Sequence, residues 1–236
     1  MTPGASFPAA PEWDRRRRSV VRDALGVGVA TGAYGLSFGA IGVAGGLSVA
    51  QTCATSVLMF TGASQFALVG VLAAGGGAPA AAVTAVLLGA RNALYGLRLS
   101  SLLELTGLRK VVGAQMVIDE TTAMCIGHED SVRARRLAFW ATGLAVFTLW
   151  NLATLVGALA GTALGDPQTY GLDAAVPAAF LALLWPRLDT PRARWVAVGA
   201  AGVALALTPV VPAGLPVMAA AGVAVLAGLT WRDAAT

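Results

Sequence analysis

The chain of 236 residues is 57% hydrophobic and 12% charged, against about 25% charged residues in a soluble globular domain, which excludes an ordinary water-soluble fold for most of its length. The net charge of +4 does not point to nucleic acid, because the basic residues border apolar segments and read as topology signals. No Asp, Glu, Lys or Arg lies between Asp23 and Arg91, and residues 137–165 and 195–231 are likewise uncharged. At ~20 residues per crossing, this spacing predicts an all-α polytopic membrane protein. The expectation is a bundle of about seven or eight transmembrane helices, some short or broken.

Residues 1–22, with Pro3, Pro8 and Pro11 followed by Arg15, Arg16, Arg17, Arg18 and Arg22, are expected to form a disordered basic cytoplasmic tail, and residues 23–236 a single transmembrane domain. No small-residue cleavage site follows the first apolar segment, so it is expected to be retained. The expected spans are 24–48, 52–74, 80–103, 111–127, 137–164, 173–186, 195–211 and 213–231, the fourth and sixth being short for a full crossing and expected to cross only if unbroken, the alternative being a broken or re-entrant segment. By the positive-inside rule the N-terminus is cytoplasmic. Eight crossings then put 128–136, with Arg133, Arg135 and Arg136, and 187–194, with Arg187, Arg192 and Arg194, inside, and 165–172, with Asp166, outside. Arg109 and Lys110 fall outside, against the rule, which leaves the path of 80–127 open. Trp140, Trp185, Trp195 and Trp231 lie near expected span ends, where interfacial aromatics belong.

In the first span Gly28, Gly32, Gly35, Gly39, Gly42 and Gly46 recur every three or four residues and share one helical face. Such a face lets backbones approach closely in lipid; the other reading is a surface past which a substrate or helix slides. Residues 59–66, Met59-Phe60-Thr61-Gly62-Ala63-Ser64-Gln65-Phe66, place hydroxyl, amide and glycine in one turn of the second span. That is either a helix break lining a cavity or a straight helix whose Ser64 and Gln65 bond to a neighbour.

Arg91 and Asn92 end the long uncharged stretch. An Arg in hydrocarbon costs at least ~2.5 kcal/mol and needs a partner or an aqueous cavity, unless it snorkels to an interface. Asp119 and Glu120 sit together mid-span, where one carboxylate is expected to pair with Arg91 or to hold a proton. The alternatives are a structural ion pair, proton coupling or recognition of a substrate amine. Asn151 is expected to make an interhelical hydrogen bond. Cys53 and Cys125 are expected to be buried thiols, and His128, the one histidine, a solvated loop residue. No catalytic triad, phosphate-binding GxxxxGK[ST] loop, metal site or cofactor motif is present in the sequence, so the chain is not expected to be an enzyme.

In their order and spacing these features resemble the AzlC/YgaZ family, the large subunit of branched-chain amino acid exporters. The resemblance rests on Tyr34-Gly35-Leu36-Ser37-Phe38-Gly39, Phe60-Thr61-Gly62-Ala63-Ser64-Gln65-Phe66, Arg91 through Leu94-Tyr95-Gly96, Asp119-Glu120, and Trp150-Asn151 leading through Gly157, Gly161 and Gly165 to Gly171-Leu172-Asp173. Two positions depart from the family: no proline precedes Phe38-Gly39, and Gly89 stands two residues before Arg91 where an Asn is common. The resemblance implies export of valine, leucine, isoleucine, methionine or similar apolar amino acids across the cytoplasmic (inner) membrane, coupled to protons, with a small membrane subunit of the AzlD/YgaH type. On that reading Gly62, Ala63, Ser64, Gln65, Arg91 and Asn92 meet the substrate carboxylate. Asp119 or Glu120 meets the amine or a proton, and Phe38, Phe60 and Phe66 meet the side chain. The alternative is a membrane scaffold or assembly subunit that carries no solute.

Overall fold

The computed structural model describes residues 10–128, 130–163, 181, 184–185, 188–211 and 215–230. Among them the elements are all helices: α1 (Ala10–Ala44), α2 (Val49–Met59), α3 (Gly62–Ala73), α4 (Ala78–Leu103), α5 (Gly107–Gln115), α6 (Asp119–Ile126), α7 (Val132–Ala163), α8 (Pro191–Leu207) and α9 (Leu215–Thr230). The expected outer loop at 165–172 lies outside the described residues, as do Glu129, Arg187, Trp231 and most of the expected sixth span.

Helices α1, α4 and α7 are long and apolar enough to cross a membrane. Their outward faces carry large apolar residues such as Val29, Leu97 and Leu144, all more than 60% exposed, which suits lipid and not water. Helix α1 begins well before the expected span: residues 10–22, expected to be disordered, are helical. Two residues of this stretch are held by the loop before α7 and the start of that helix, while Arg15, Arg17 and Arg18 stay exposed. Arg16 donates to Asp130 at 2.6 Å, and the Arg133 guanidinium lies 3.9 Å from the Trp13 ring centroid. The Arg16 hydrogen bond holds the Asp130 carboxyl below the ordinary carboxylate range.

The α1–α7 interface explains most of the glycine stripe. A methyl group at Gly28 would meet Ala145, at Gly32 Leu149, at Gly35 the Trp150 carbonyl, and at Gly39 the Thr154 carbonyl and the Ala158 amide. From the other side Gly157 faces the Leu36 carbonyl and Gly161 the Ala40 backbone. The two helices therefore run parallel, in backbone contact. Gly42 instead lies against Thr52 of α2, and Gly46 is no packing residue: it is in the turn after α1 with φ +93° and nothing near it.

The second and fourth expected spans do not cross. At 11, 12, 9 and 8 residues, α2, α3, α5 and α6 each reach about half of a ~30 Å hydrocarbon core at 1.5 Å per residue. Helix α2 opens on a capping box in which Ser48 and Gln51 bond each other's backbones at 3.2 and 2.8 Å. At Phe60–Thr61 the chain reverses, so that the Gln65 amide donates back to the Ser56 carbonyl at 3.2 Å. Val69 and Ala73 return to Gly45, at the end of α1 where the hairpin began. Helices α5 and α6 form the second hairpin, from the opposite end. The chain enters it just after α4 ends, and Cys125 returns to pack with Leu99, Leu103 and Phe139. The following loop places Asp130 on Arg16. The hairpin tips meet where Gln115 donates to the Val57 and Leu58 carbonyls at 3.0 and 3.2 Å.

The order crossing helix, re-entrant hairpin thus occurs twice in opposite directions, as α1 with α2–α3 and as α4 with α5–α6. This is the inverted-repeat arrangement of many transporters. It also corrects the topology: without a crossing at 52–74, Arg109 and Lys110 share an end with 15–18 and with Arg133, Arg135 and Arg136. There Arg135 and Arg136 donate to the Leu102 and Leu103 carbonyls at 2.9 and 2.8 Å, satisfying the open C-terminus of α4. Helices α8 and α9 pair with each other, and α9 touches α4.

Candidate functional site

Where the hairpin tips meet α1, α4 and α7, a cavity of about 330 Å³ opens, within the size range of small-molecule sites. Arg91 and Asn92 reach it from the middle of α4, Thr61, Gly62 and Ala63 from the tip of the first hairpin, and Ile118, Asp119 and Glu120 from the tip of the second. Thr31 and Tyr34 of α1 and Val146 and Trp150 of α7 close the remaining side.

Its charged half is built on α6. Arg91 pairs with Asp119 at 2.9 Å, both side chains being about 30% exposed, and the Thr31 hydroxyl donates to Glu120 at 3.4 Å. Both carboxylates occupy the first turn of α6, where the helix dipole favours negative charge. The Ile118 amide of that turn is already bonded to the Thr121 hydroxyl at 3.0 Å, which in turn donates to the Met116 carbonyl at 2.7 Å. Two carboxyl groups stand against one guanidinium, so whenever both are ionised the cluster carries one surplus negative charge that a cation or a proton can neutralise.

The other half is the first turn of α3. Its N-cap, Thr61, makes no capping bond, and Gly62 and Ala63, the first residues of α3, line the cavity at the end of the helix where backbone amides have no partner within the helix and the dipole is positive. The two half-helices therefore present opposite chemistry: the start of α6 carries its own anions, and the start of α3 lacks one. Phe60, Phe66, Ile118 and Val146 supply the apolar lining.

Several residues expected in the site lie elsewhere. Ser64 and Gln65 do not line the cavity. Gln65, fully buried, ties α3 to α2, and the Ser64 hydroxyl points at Gly89 of α4, 3.1 Å from where a methyl group there would sit. Phe38 stands behind the lining, edge-on to Phe66 at 5.7 Å and stacked on Trp150 at 6.2 Å. The Asn151 amide bonds within its own helix, to the Phe147 carbonyl at 2.8 Å, in place of the interhelical bond expected. Cys125 is buried and Cys53 half-buried, neither in a disulfide, and His128 bonds the Met124 carbonyl at 2.9 Å. Sequence reasoning did not assign Thr31, Ile118 or Val146 to the site, and it named Tyr34 and Trp150 only as parts of the family resemblance.

The AzlC protein family matches residues 26–164, a stretch that contains both hairpins and every cavity residue named above. The inner membrane protein YgaZ of Escherichia coli (strain K12) is 27% identical over 209 residues, covering 86% of this chain and 84% of YgaZ. No solved structure matches the chain. With three helices long and apolar enough to cross a membrane among its described residues, this α-helical membrane protein belongs to the AzlC family.

Proposed function

We propose that the protein is a secondary active exporter of branched-chain or similar apolar amino acids, driven by protons and working with a small membrane subunit of the AzlD/YgaH type. The observation that carries this reading is the opposed polarity of the cavity, with uncapped amides of α3 at one side and the Arg91–Asp119–Glu120 cluster at the other. A zwitterion fits such a pair of walls: its carboxylate lies at the start of α3, its ammonium at the acidic residues, and its apolar side chain against Phe60, Phe66 and Val146. Arg91, already engaged by Asp119, sets the charge of the cluster and is not the first partner of the carboxylate. An ammonium and a proton neutralise the same surplus negative charge, so binding of one excludes the other, which is the requirement for exchange.

The clustering of Arg15, Arg16, Arg17, Arg18, Arg109, Lys110, Arg133, Arg135 and Arg136 at one end supports a cytoplasmic N-terminus in the cytoplasmic membrane. Everted vesicles carrying the chain and its small partner should accumulate labelled valine, leucine, isoleucine or methionine when a proton gradient is imposed. Failure to accumulate any of the four defeats the reading. A scaffold that carries no solute is less well supported, because charged groups around a cavity are expensive in a membrane and add nothing to the glycine packing of α1 on α7.

A further inference from the structure

Two features that read as membrane signals in the sequence, Arg109 and Trp140, take no part in the cavity at the hairpin tips. They meet elsewhere. At the end of the bundle that carries the N-terminus, a groove of about 560 Å³ runs between the start of α5 and the start of α7. Arg109 enters it from α5, Arg136 and Trp140 from α7, and Glu104 and Thr106 from the link between α4 and α5. The two arginines differ in what already holds them. Arg136 donates to the Leu103 carbonyl at 2.8 Å and lies 3.5 Å from Glu104, whereas Arg109, among the described residues, has neither a hydrogen bond nor an ion pair. Two guanidiniums against one carboxylate leave the groove with a surplus positive charge.

Its depth identifies the anion that fits. Trp140 lies one turn further into α7 than Arg136 and on the same face, the position of an indole at the headgroup level of a bilayer. Leu105 and Leu137 continue the groove wall. One turn further along α5 than Arg109, Val111 and Val112 are 67% and 42% exposed, apolar surface that suits acyl chains and not water. A soluble anion would use only the charged level, whereas a phospholipid uses both.

We propose that this groove binds an anionic phospholipid, its phosphate between Arg109 and Arg136 and its chains along α5. Basic pockets between membrane helices hold anionic headgroups by such pairing, and guanidiniums match phosphate oxygens two at a time. The arginines belong to different parts of the fold. Helix α5 is the first arm of the hairpin whose tip carries Asp119 and Glu120, and α7 is fixed on α1 by backbone contact. A phosphate between them fastens the base of that hairpin to α7, so lipid composition sets how firmly the hairpin is held. The assignment does not depend on what the central cavity carries.

The test uses the protein purified in a neutral detergent, with dioleoyl phosphatidylglycerol, dioleoyl phosphatidylcholine and glycerol 3-phosphate as probes. Native mass spectrometry should show a single phosphatidylglycerol retained per chain at concentrations where phosphatidylcholine, with the same chains, is retained about fivefold less or weaker still. Glycerol 3-phosphate should not displace it. Arg109→Gln removes a side chain that holds nothing in the fold, and should weaken phosphatidylglycerol about fivefold, as for one basic contact to an anionic lipid. Arg17→Gln removes an exposed charge at the same end and should change binding less than about twofold. Equal retention of the two lipids, or equal losses in the two variants, would show a diffuse surface field in place of a site and overturn the proposal. Displacement by glycerol 3-phosphate would make the groove a site for soluble phosphate, which also overturns it. A second readout locates the lipid: hydrogen exchange over residues 107–112 should slow on adding phosphatidylglycerol to the parent protein and stay unchanged in Arg109→Gln. Unaltered exchange in the parent at full occupancy would place the lipid elsewhere and defeat the assignment.

Discussion

Arg91 in the middle of α4 and Asp119 at the start of α6 meet at 2.9 Å, tying a crossing helix to the tip of the hairpin that follows it. Removing one partner of a desolvated pair strands the other, whereas removing both does not. Arg91→Gln is therefore expected to destabilise the protein by about 2 kcal/mol, below the range for fully buried pairs because both side chains are partly wet. Arg91→Gln with Asp119→Asn should cost less than the two single changes added together. Thermal unfolding in detergent checks the comparison, and strict additivity would mean that the contact carries no energy.

Glycine positions divide sharply by what they face. Gly39→Ala and Gly157→Ala put a methyl group into the backbone of the opposite helix and should prevent α1 from seating on α7, read as loss of monodisperse protein after extraction. Gly26→Ala and Gly96→Ala meet nothing. They are expected to be neutral or stabilising by up to ~1 kcal/mol through helix propensity.

The re-entrant path has a labelling signature. In a background lacking Cys53 and Cys125, cysteines at Lys110 and Val132 should react with an impermeant maleimide from the same side as the N-terminus, and one at Gly76 from the other. Eight full crossings would instead place Gly76 on the side of the N-terminus and Lys110 on the other.

Gln65 is expected to be worth more to the fold than to ligand affinity. Gln65→Ala removes the bond across the first hairpin and leaves buried acceptors on α2, for a loss of ~1–3 kcal/mol. The affinity of the surviving folded protein for valine should change little. A large affinity change without a stability change would return Gln65 to the cavity wall.

Asp130 gives a pH dependence of definite sign. Its carboxyl titrates lower in the folded protein than in an unfolded chain because Arg16 bonds the ionised form. The stabilisation is therefore present above the ordinary Asp value of about 4 and is lost as pH falls through the lower folded value. Hydrogen exchange in residues 12–20 should quicken on acidification in that window. Asp130→Asn should show fast exchange throughout, with the step abolished.

The membrane class was legible in the absence of charge over 24–90, and so were the break at Phe60–Thr61 and the meeting of Arg91 with the acidic pair, because costly groups in hydrocarbon need partners. Re-entrance was legible only in the short length of 111–127 and not in the first hairpin. Residues 52–74 are apolar and long enough to cross, and the reversal depends on Gln65 reaching Ser56, a tertiary contact with no periodicity of its own. The same holds for the first turns of α1, whose arginines read as a solvated tail until Asp130 arrives from 114 residues away. The inverted repeat survives as geometry without recognisable residue correspondence. Trp150 was hidden because an indole in an apolar run looks like packing.

The glycine seam between α1 and α7 also limits which parts of the protein can move. Sliding one helix past the other by a single residue would drive side chains into backbone where Gly39 meets Thr154 and Gly157 meets Leu36. The two helices therefore behave as one rigid mast. Thr31, Tyr34, Val146 and Trp150 all belong to it, so that side of the cavity wall is stationary. Any change in which side of the membrane the cavity faces falls to the two hairpins and α4.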